Sequence, residues 1–388
     1  QCLVGSEMCI RDSIMITEIR LKNFKVFEEE SFNIKPLTLI TGVNGMGKST
    51  LIQSLLFLKQ NYELGYLSNP KKKLRLRHDF VNLESAGAIC YTFAEEKSVC
   101  ISIKEDSGNE YQWRLDTSES ESEEVDYTYT GSDIHGLSLF DDRFIFLEAE
   151  RWGPKAQYNK SETRAYNTSL GIQGELTPAY LNNALSVNEE IGIKGMRHPN
   201  LKEEQIQLTE NVNAWMAQIM QVPALKANTT EIDKDKIRLE YGIAGTKGKK
   251  YSALQVGFGF TYCLPVIVAL LRAKVGDLLI FENPEAHLHP AAQVELGKLM
   301  ALAAGKGVQI IIESHSDHIL NSLRLARKEG VISQEDLNVI FVQRDFGTDD
   351  DIEVTYINEI QITDEGKLNE RPKNFFDSWD DVLTQLID

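Results

Sequence analysis

Long apolar runs, paired cysteines and positive charge are all scarce in this sequence of 388 residues. No run of 18 or more apolar residues occurs, so we predict no transmembrane helix and no membrane association. The five cysteines form no Cys-x-x-Cys pair and their number is odd, which favours a reduced, cytoplasmic protein. The net charge of −17 argues against a surface that coats DNA through bulk electrostatics, but it leaves room for a local basic groove.

The first residues differ in character from the rest of the chain. Residues 1–13 are too short and too charged for a signal peptide, and they resemble a translated sequencing-adapter read. An alternating apolar pattern begins at Met15, as in a strand with one buried face. We therefore predict that residues 1–14 are a non-native leader and that the native chain starts at Met15.

A glycine-rich segment, Gly42–Thr50, is the strongest motif in the sequence. It has the pattern G-x-x-x-x-G-K-S, follows the strand-like run Leu37–Ile40 and precedes a helical pattern of leucine and isoleucine residues. Glycines there let successive backbone N–H groups point at one anion, and a helix N-terminus adds a positive dipole. We expect Lys48 to contact the β- and γ-phosphates and the Ser49 hydroxyl to hold Mg²⁺. A glycine-rich turn that binds nothing is the alternative.

Together with the residues before it, this segment resembles a known family. Ile19–Lys25, a short hairpin and then Gly42–Ser49 are similar to the start of the ABC-type ATPase heads of SMC, RecF and overcoming-lysogenisation-defect (OLD) proteins. The resemblance implies an α/β P-loop NTPase fold with a mixed central sheet, an antiparallel β-lobe and a helical insertion. It also implies bound ATP and Mg²⁺, with Asn23 and Lys25 near the base and sugar. The residues it places around the phosphates are Asn44, Gly45, Gly47, Lys48, Ser49 and Thr50.

A second strong motif, Asp277–Pro290, contains four apolar residues followed by carboxylates. It predicts a buried strand whose C-terminal end is the place where open α/β sheets bind ligands. By resemblance this is the Walker B strand running into the D-loop, with Glu282 holding Mg²⁺ opposite Ser49. The family's usual Asp–Glu pair is here Glu282–Asn283, and asparagine accepts no proton from water. We therefore expect that Glu285 activates water or that hydrolysis is slow, with ATP acting mainly as a dimerising switch.

Two further segments extend the resemblance. Gln309–Ser316 is a strand pattern ending in polar residues, and His315 would be the switch histidine that senses the γ-phosphate; a hydrogen-bonded buried histidine is the alternative. Gly257 and Gly259 precede an apolar helix, in the place of the signature motif that contacts the γ-phosphate bound on the other subunit. Because the usual Ser-Gly-Gly-Gln core is missing, a helix entry without a ligand is the alternative there.

The rest of the pattern predicts the domain organisation. Residues 15–388 are expected to form one ABC-type head, whose parts are a β-lobe at about 80–150, a helical insertion at about 155–235, a C-terminal Walker B half at 236–345 and a C-terminal module at 346–388. Within the lobe, Ala88–Phe93 is predicted as a strand, Thr117–Asp126 as a mobile loop and Glu148–Pro154 as a structural turn. The basic cluster Lys71–His78 is either a contact for nucleic acid or an acidic partner, or a solvated loop.

The resemblance implies an ATP-binding and hydrolysing head that acts as a dimeric switch or sensor. Stand-alone bacterial ATPases of this group, including Septu-like ones, belong to antiphage defence, so a homodimer or higher oligomer with an effector nuclease is expected. No Toprim constellation follows the ATPase segment, so nuclease activity would come from a partner. Two alternatives remain: a DNA-repair ATPase that binds DNA through a local basic groove, and a scaffold that binds ATP without hydrolysing it.

Overall fold

The computed structural model describes residues 14–69, 71–160, 169–346, 353–372 and 375. Most of the predicted leader lies outside these residues, as does the part of the predicted C-terminal module beyond residue 375. None of the helices in the described ranges combines the length and hydropathy that a membrane crossing requires.

The described residues form seventeen strands and seven α-helices. The first part contains β1 Ile16–Phe24, β2 Phe27–Asn33, β3 Leu37–Gly42, α1 Lys48–Glu63, β4 Leu74–Arg75, α2 Ala86–Ile89, β5 Ser98–Glu105, β6 Glu110–Asp116, β7 Glu124–Val125, β8 Tyr127–Gly131 and β9 Ile145–Leu147. It continues with β10 Tyr158–Asn159, α3 Thr177–Ser186, α4 Leu208–Ile219, β11 Lys226–Glu231, β12 Lys236–Gly242, β13 Lys250–Ser252, α5 Phe258–Arg272, β14 Leu278–Glu282, α6 Pro290–Ala304, β15 Gln309–Glu313, α7 Asp317–Lys328, β16 Leu337–Phe346 and β17 Glu353–Ile360.

The chain divides into two compact units. The P-loop unit comprises Ile14–Phe144, Leu337–Thr363 and the segment from Lys367 onward, and the Walker B unit comprises Ile145–Asp336 and Asp364–Gly366. In the P-loop unit, β3 pairs in parallel with β16, which pairs antiparallel with β17. Its second sheet is antiparallel with the order β2-β1-β5-β6-β8, and β4 pairs with β7.

The Walker B unit contains helices α3 to α7 and two groups of paired strands. Its parallel strands lie in the order β15-β14-β9, and their residues are almost all buried because helices cover parallel sheets. Its other sheet is antiparallel, with the order β10-β12-β11, and β13 pairs antiparallel with the last three residues of β12. The parallel strands therefore bring their carboxyl ends to one edge within this unit.

The hairpin of β1 and β2 has a tight turn at Lys25 and Val26, and the φ angles of Asn23 and Lys25 are 55° and 54°. The β-lobe departs from the sequence-based prediction. The predicted strand Ala88–Phe93 is wrong: α2 covers its start because the Ser85 side chain caps that helix at the Ala88 N–H.

The predicted mobile loop Thr117–Asp126 is also wrong in part. Its last residues form β7, which pairs with β4 inside the basic cluster Lys71–His78. The Lys73 ammonium lies 2.8 Å from an Asp126 carboxylate oxygen. Two more ion pairs follow at 3.4 Å and 3.1 Å, formed by Arg75 with Glu124 and by Arg77 with Glu123. The acidic partner of the basic cluster is therefore this loop of the same chain.

Candidate functional site

The P-loop begins where β3 ends, and its glycines are required by the backbone. Gly42 has φ 146°, and a Cβ there would lie 2.2 Å from the Val342 carbonyl oxygen on β16. Gly47 has φ 100° at the start of α1, and a Cβ there would lie 2.4 Å from the Val26 side chain. Gly45 has φ 78° but open space around it. Close packing and a positive φ angle thus both favour glycine at positions 42 and 47, and a positive φ angle alone favours it at position 45.

The predicted phosphate ligands lie along this loop and the first turn of α1. Lys48 is 5% exposed, and its ammonium donates a hydrogen bond to the Val43 carbonyl oxygen at 2.8 Å. This contact bends the lysine back over the loop, where the backbone N–H groups of a helix start attract anions. Asn44 is exposed and Ser49 half-buried, whereas Thr50 is buried. These residues therefore lie together on the loop and the first turn of α1, where the motif predicts phosphate contacts.

Asn23 lies near the end of β1, and Lys25 lies in the turn between β1 and β2. Asn23 is buried, and its side-chain amide donates a hydrogen bond to the Ser98 carbonyl oxygen at 3.1 Å. This contact joins β1 to β5 within the antiparallel sheet. The Lys25 ammonium donates to the Gln53 side chain on α1 at 2.7 Å, and burial lowers the pKa of Lys25. Because Val26 of the same turn touches Gly47, this turn lies beside the P-loop.

The carboxyl ends of β9, β14 and β15 carry three glutamates side by side. Glu282 is level with Glu313 in the pairing of β14 with β15, and Glu148 follows the last paired residue of β9. Burial, followed by the charge of Glu313, raises the pKa of Glu282 from 4.5 to about 7. The Ala149 N–H donates to the Glu282 carboxylate at 3.2 Å. A divalent cation would relieve the crowding of negative charge at this edge.

The raised pKa of Glu282 predicts a pH dependence of stability in the nucleotide-free and metal-free protein. Between pH 4.5 and 7 the folded state binds this proton more tightly than the unfolded state, so the free energy of unfolding falls as pH rises through that window. Glu282→Gln should remove this part of the slope. Urea denaturation of both proteins at pH 5 and pH 7 measures it, and equal losses of stability in the two proteins would contradict the prediction.

Arg151 is the functional residue that sequence reasoning missed. It lies in the predicted structural turn, yet its side chain is 2% exposed. Its guanidinium donates to the carbonyl oxygens of Glu148 at 3.1 Å, Glu282 at 2.8 Å and Asn283 at 2.5 Å. The ring of Tyr262 on α5 lies 5.6 Å from the guanidinium carbon. Arg151 therefore holds the ends of β9 and β14 together and ties them to α5.

Glu285 and His315 lie close together at the ends of the same strands. The Glu285 carboxylate is 8% exposed and accepts the Ser314 hydroxyl at 2.6 Å and the backbone N–H of His315. Burial raises the pKa of Glu285, and its second oxygen has no hydrogen-bond partner among the described residues. His315 itself is exposed, so the alternative of a buried histidine does not apply.

The two glycines of the signature-like segment have different surroundings. A Cβ on Gly259 would lie 2.8 Å from the His287 carbonyl oxygen, so this glycine lets α5 pack against the segment after Glu285. Gly257 precedes α5 and has no atom within 4 Å of a Cβ position. The neighbouring Phe258 is 55% exposed. Gly259 thus has a packing role within the chain, and Gly257 lies at an open surface.

Two protein families and one curated protein match this sequence. A family described as "AAA domain, putative AbiEii toxin, Type IV TA system" matches residues 37–321, and a family described as a protein of unknown function, DUF3696, matches residues 332–386. The OLD nuclease of Thermus scotoductus is 23% identical over 361 residues, covering 81% of this chain and 62% of that protein. The chain therefore spans less than two thirds of the curated relative that it matches.

Solved structures show the same fold at low sequence identity. An Smc head bound to the C-winged helix domain of ScpA superposes with a TM-score of 0.54 at 13% identity, over 89% of this chain and 98% of that one. An Smc head with an extended coiled coil from Pyrococcus furiosus, bound to the C-terminal domain of ScpA, has a TM-score of 0.52 at 12% identity, over 97% and 100%. The predicted fold class, an ABC-type P-loop ATPase head, is confirmed.

Proposed function

Because this chain belongs to the AAA-domain family whose profile spans residues 37–321, we propose that it binds and hydrolyses ATP with Mg²⁺. The observation that carries the proposal is the P-loop itself, in which Lys48 folds over the Val43 carbonyl at the start of α1. A loop whose glycines cannot accept side chains, ending at a helix N-terminus, is built for a polyphosphate.

The proposed roles follow the chemistry of each side chain. Lys48 contacts the terminal phosphates, and the hydroxyl of Ser49 and the carboxylate of Glu282 serve as Mg²⁺ ligands. Mg²⁺, when bound, neutralises charge on the phosphates. Glu285, held by Ser314, is the candidate to accept a proton from water, and His315 is the candidate γ-phosphate sensor. Asn23, Lys25, Asn44, Gly45, Gly47 and Thr50 complete the proposed nucleotide contacts.

The pair Glu282–Asn283 supports slow turnover. Asn283 occupies the place of the usual catalytic glutamate and has no proton-accepting group. Its side-chain oxygen is buried without a hydrogen-bond partner among the described residues. We expect a turnover number well below about 10 s⁻¹, the median for enzymes, when phosphate release is measured with Mg²⁺ and saturating ATP. A faster rate would refute the proposed switch function, whereas tight binding without turnover would identify a scaffold that only binds ATP.

A switch function requires that ATP changes the assembly. We propose that ATP favours a homodimer, in which the surface around Gly257 of one subunit approaches nucleotide bound to the other. The name of the curated relative, an OLD nuclease, supports an effector nuclease, which would come from a partner of this chain. The family description as a putative toxin of a toxin–antitoxin system supports a defence role. Sedimentation of the protein with and without a non-hydrolysable ATP analogue tests the dimer.

A further inference from the structure

The antiparallel sheet formed by β11, β12 and β13 in the Walker B unit carries an excess of positive charge. Residues 226–250 contain seven Lys and Arg against four Asp and Glu, a net of +3 in a chain whose net charge is −17. The basic cluster Lys71–His78 differs, because three of its cations are paired with the chain's own carboxylates. This contrast makes the sheet, and not the basic cluster, a candidate cationic surface for a partner.

Strand register places the cations on one face. Lys226 pairs with Gly242, which pairs in turn with Lys250, so all three positions share the outward face of the sheet. Ile237, Leu239 and Tyr241 occupy the opposite, buried face. We call the outward side the cationic sheet face, whose members are Lys226, Asn228, Thr230, Lys236, Arg238, Glu240, Gly242, Lys250 and Ser252.

Three of the four cations on this face are exposed and have no acidic partner among the described residues, and the fourth, Lys236, is half-buried and donates a hydrogen bond to the Asn159 side chain. Lys226, Arg238 and Lys250 are exposed, and no described residue forms an ion pair with any of them. The hairpin between β12 and β13 adds Lys247, which is also exposed and unpaired within the described residues. Thr246 stabilises that hairpin through hydrogen bonds to the carbonyls of Ile243 and Lys249, at 2.7 Å and 3.1 Å. The one carboxylate on the face is Glu240.

The face is shaped for an extended anion rather than for a single phosphate. Lys226 and Lys250 lie two strand spacings apart, about 10 Å, and Gly242 between them carries no side chain. About 10 Å of duplex axis carries roughly three phosphates on each strand. The two lysines therefore stand apart on either side of Gly242.

The chemistry of the face favours nucleic acid over an acidic protein. Its neutral members are Asn228, Thr230 and Ser252, and these residue types, with lysine and arginine, are the ones that contact phosphates and sugars. No apolar side chain stands at an outward position of these described strands, whereas protein interfaces have an apolar core. We propose that the cationic sheet face binds the phosphodiester backbone of nucleic acid without reading its sequence.

The experiment measures binding of the full chain to a 30-base-pair DNA duplex of random sequence by fluorescence anisotropy, between 50 and 200 mM salt. The combined variant Lys226→Gln, Lys247→Gln and Lys250→Gln should flatten the slope of log affinity against log salt by about 2.7. The matched control, Lys71→Gln, Lys73→Gln and Arg75→Gln, removes the same charge from the basic cluster and should leave the slope unchanged. Both variants should fold because all six side chains lie outside the core, and thermal melting verifies this.

Three outcomes would overturn the proposal: equal losses in both variants, no binding by the parent chain at 50 mM salt, or displacement of DNA by polyglutamate of equal charge at equal concentration. A single-stranded RNA of the same length shows which polymer binds more tightly, and binding of either supports the proposal. Lys48→Ala should retain this binding, because the cationic sheet face does not include the P-loop. Failure of the proposed ATPase function and failure of this proposal are therefore distinguishable.

Discussion

Lys48→Ala is expected to lower ATP affinity by about 10- to 100-fold and to abolish hydrolysis. The ammonium of Lys48 is buried over the P-loop at 2.8 Å from the Val43 carbonyl, so its position is already set before nucleotide binds. A charged hydrogen bond to phosphate contributes about 1.5–3 kcal/mol, and loss of a preorganised one removes most of that. Calorimetric titration with ATP and Mg²⁺ measures the affinity, and phosphate release measures the rate.

Lys35→Ala is the matched control for this variant. The Lys35 ammonium also donates to a backbone carbonyl of the P-loop unit, that of Leu337 at 3.3 Å, but Lys35 precedes β3 whereas Lys48 follows it. It should bind ATP with the parental affinity. If Lys48→Ala hydrolyses ATP at the parental rate, the phosphate site lies elsewhere. If both variants lose ATP affinity equally, the loss reflects folding.

Arg151→Met is expected to lower the free energy of unfolding by about 3 kcal/mol. The substitution leaves the carbonyls of Glu148, Glu282 and Asn283 without their shared donor in a buried place, and each such group costs about 1–3 kcal/mol. Because the charge of Arg151 also lowers the pKa of Glu282, its removal should raise that pKa above about 7. The fall of stability with rising pH should then extend to more alkaline pH. Urea denaturation from pH 5 to pH 9 measures both effects.

Arg151→Lys separates the two roles of this residue. A lysine keeps the positive charge but lacks the planar fork that spans several carbonyls. Arg151→Lys should lower the free energy of unfolding, which should still fall over the same pH range as in the parent. If stability falls over the parental pH range in Arg151→Met as well, then Arg151 acts on the backbone alone and does not influence the Glu282 carboxylate.

The features that could be predicted are those whose chemistry depends on residues close together in the sequence. The P-loop could be predicted because its glycines, lysine and serine all lie within nine residues, between a strand and a helix. The strand before Glu282 could be predicted because a continuous apolar run is typical of a buried parallel strand. The basic cluster was ambiguous because its partners, such as Asp126 for Lys73, lie about fifty positions away.

The sequence by itself determined the family, the fold class and the chemistry of each candidate side chain, since those are local properties of residue type and spacing. Only the tertiary structure decided which groups meet. It brought Arg151 to carbonyl groups 131 and 132 positions away, paired the basic cluster with an acidic loop, and left Lys226 and Lys250 exposed on one sheet face. The physical reason is that charge and hydrogen bonding act through space at a few ångströms, and strand register sets those distances.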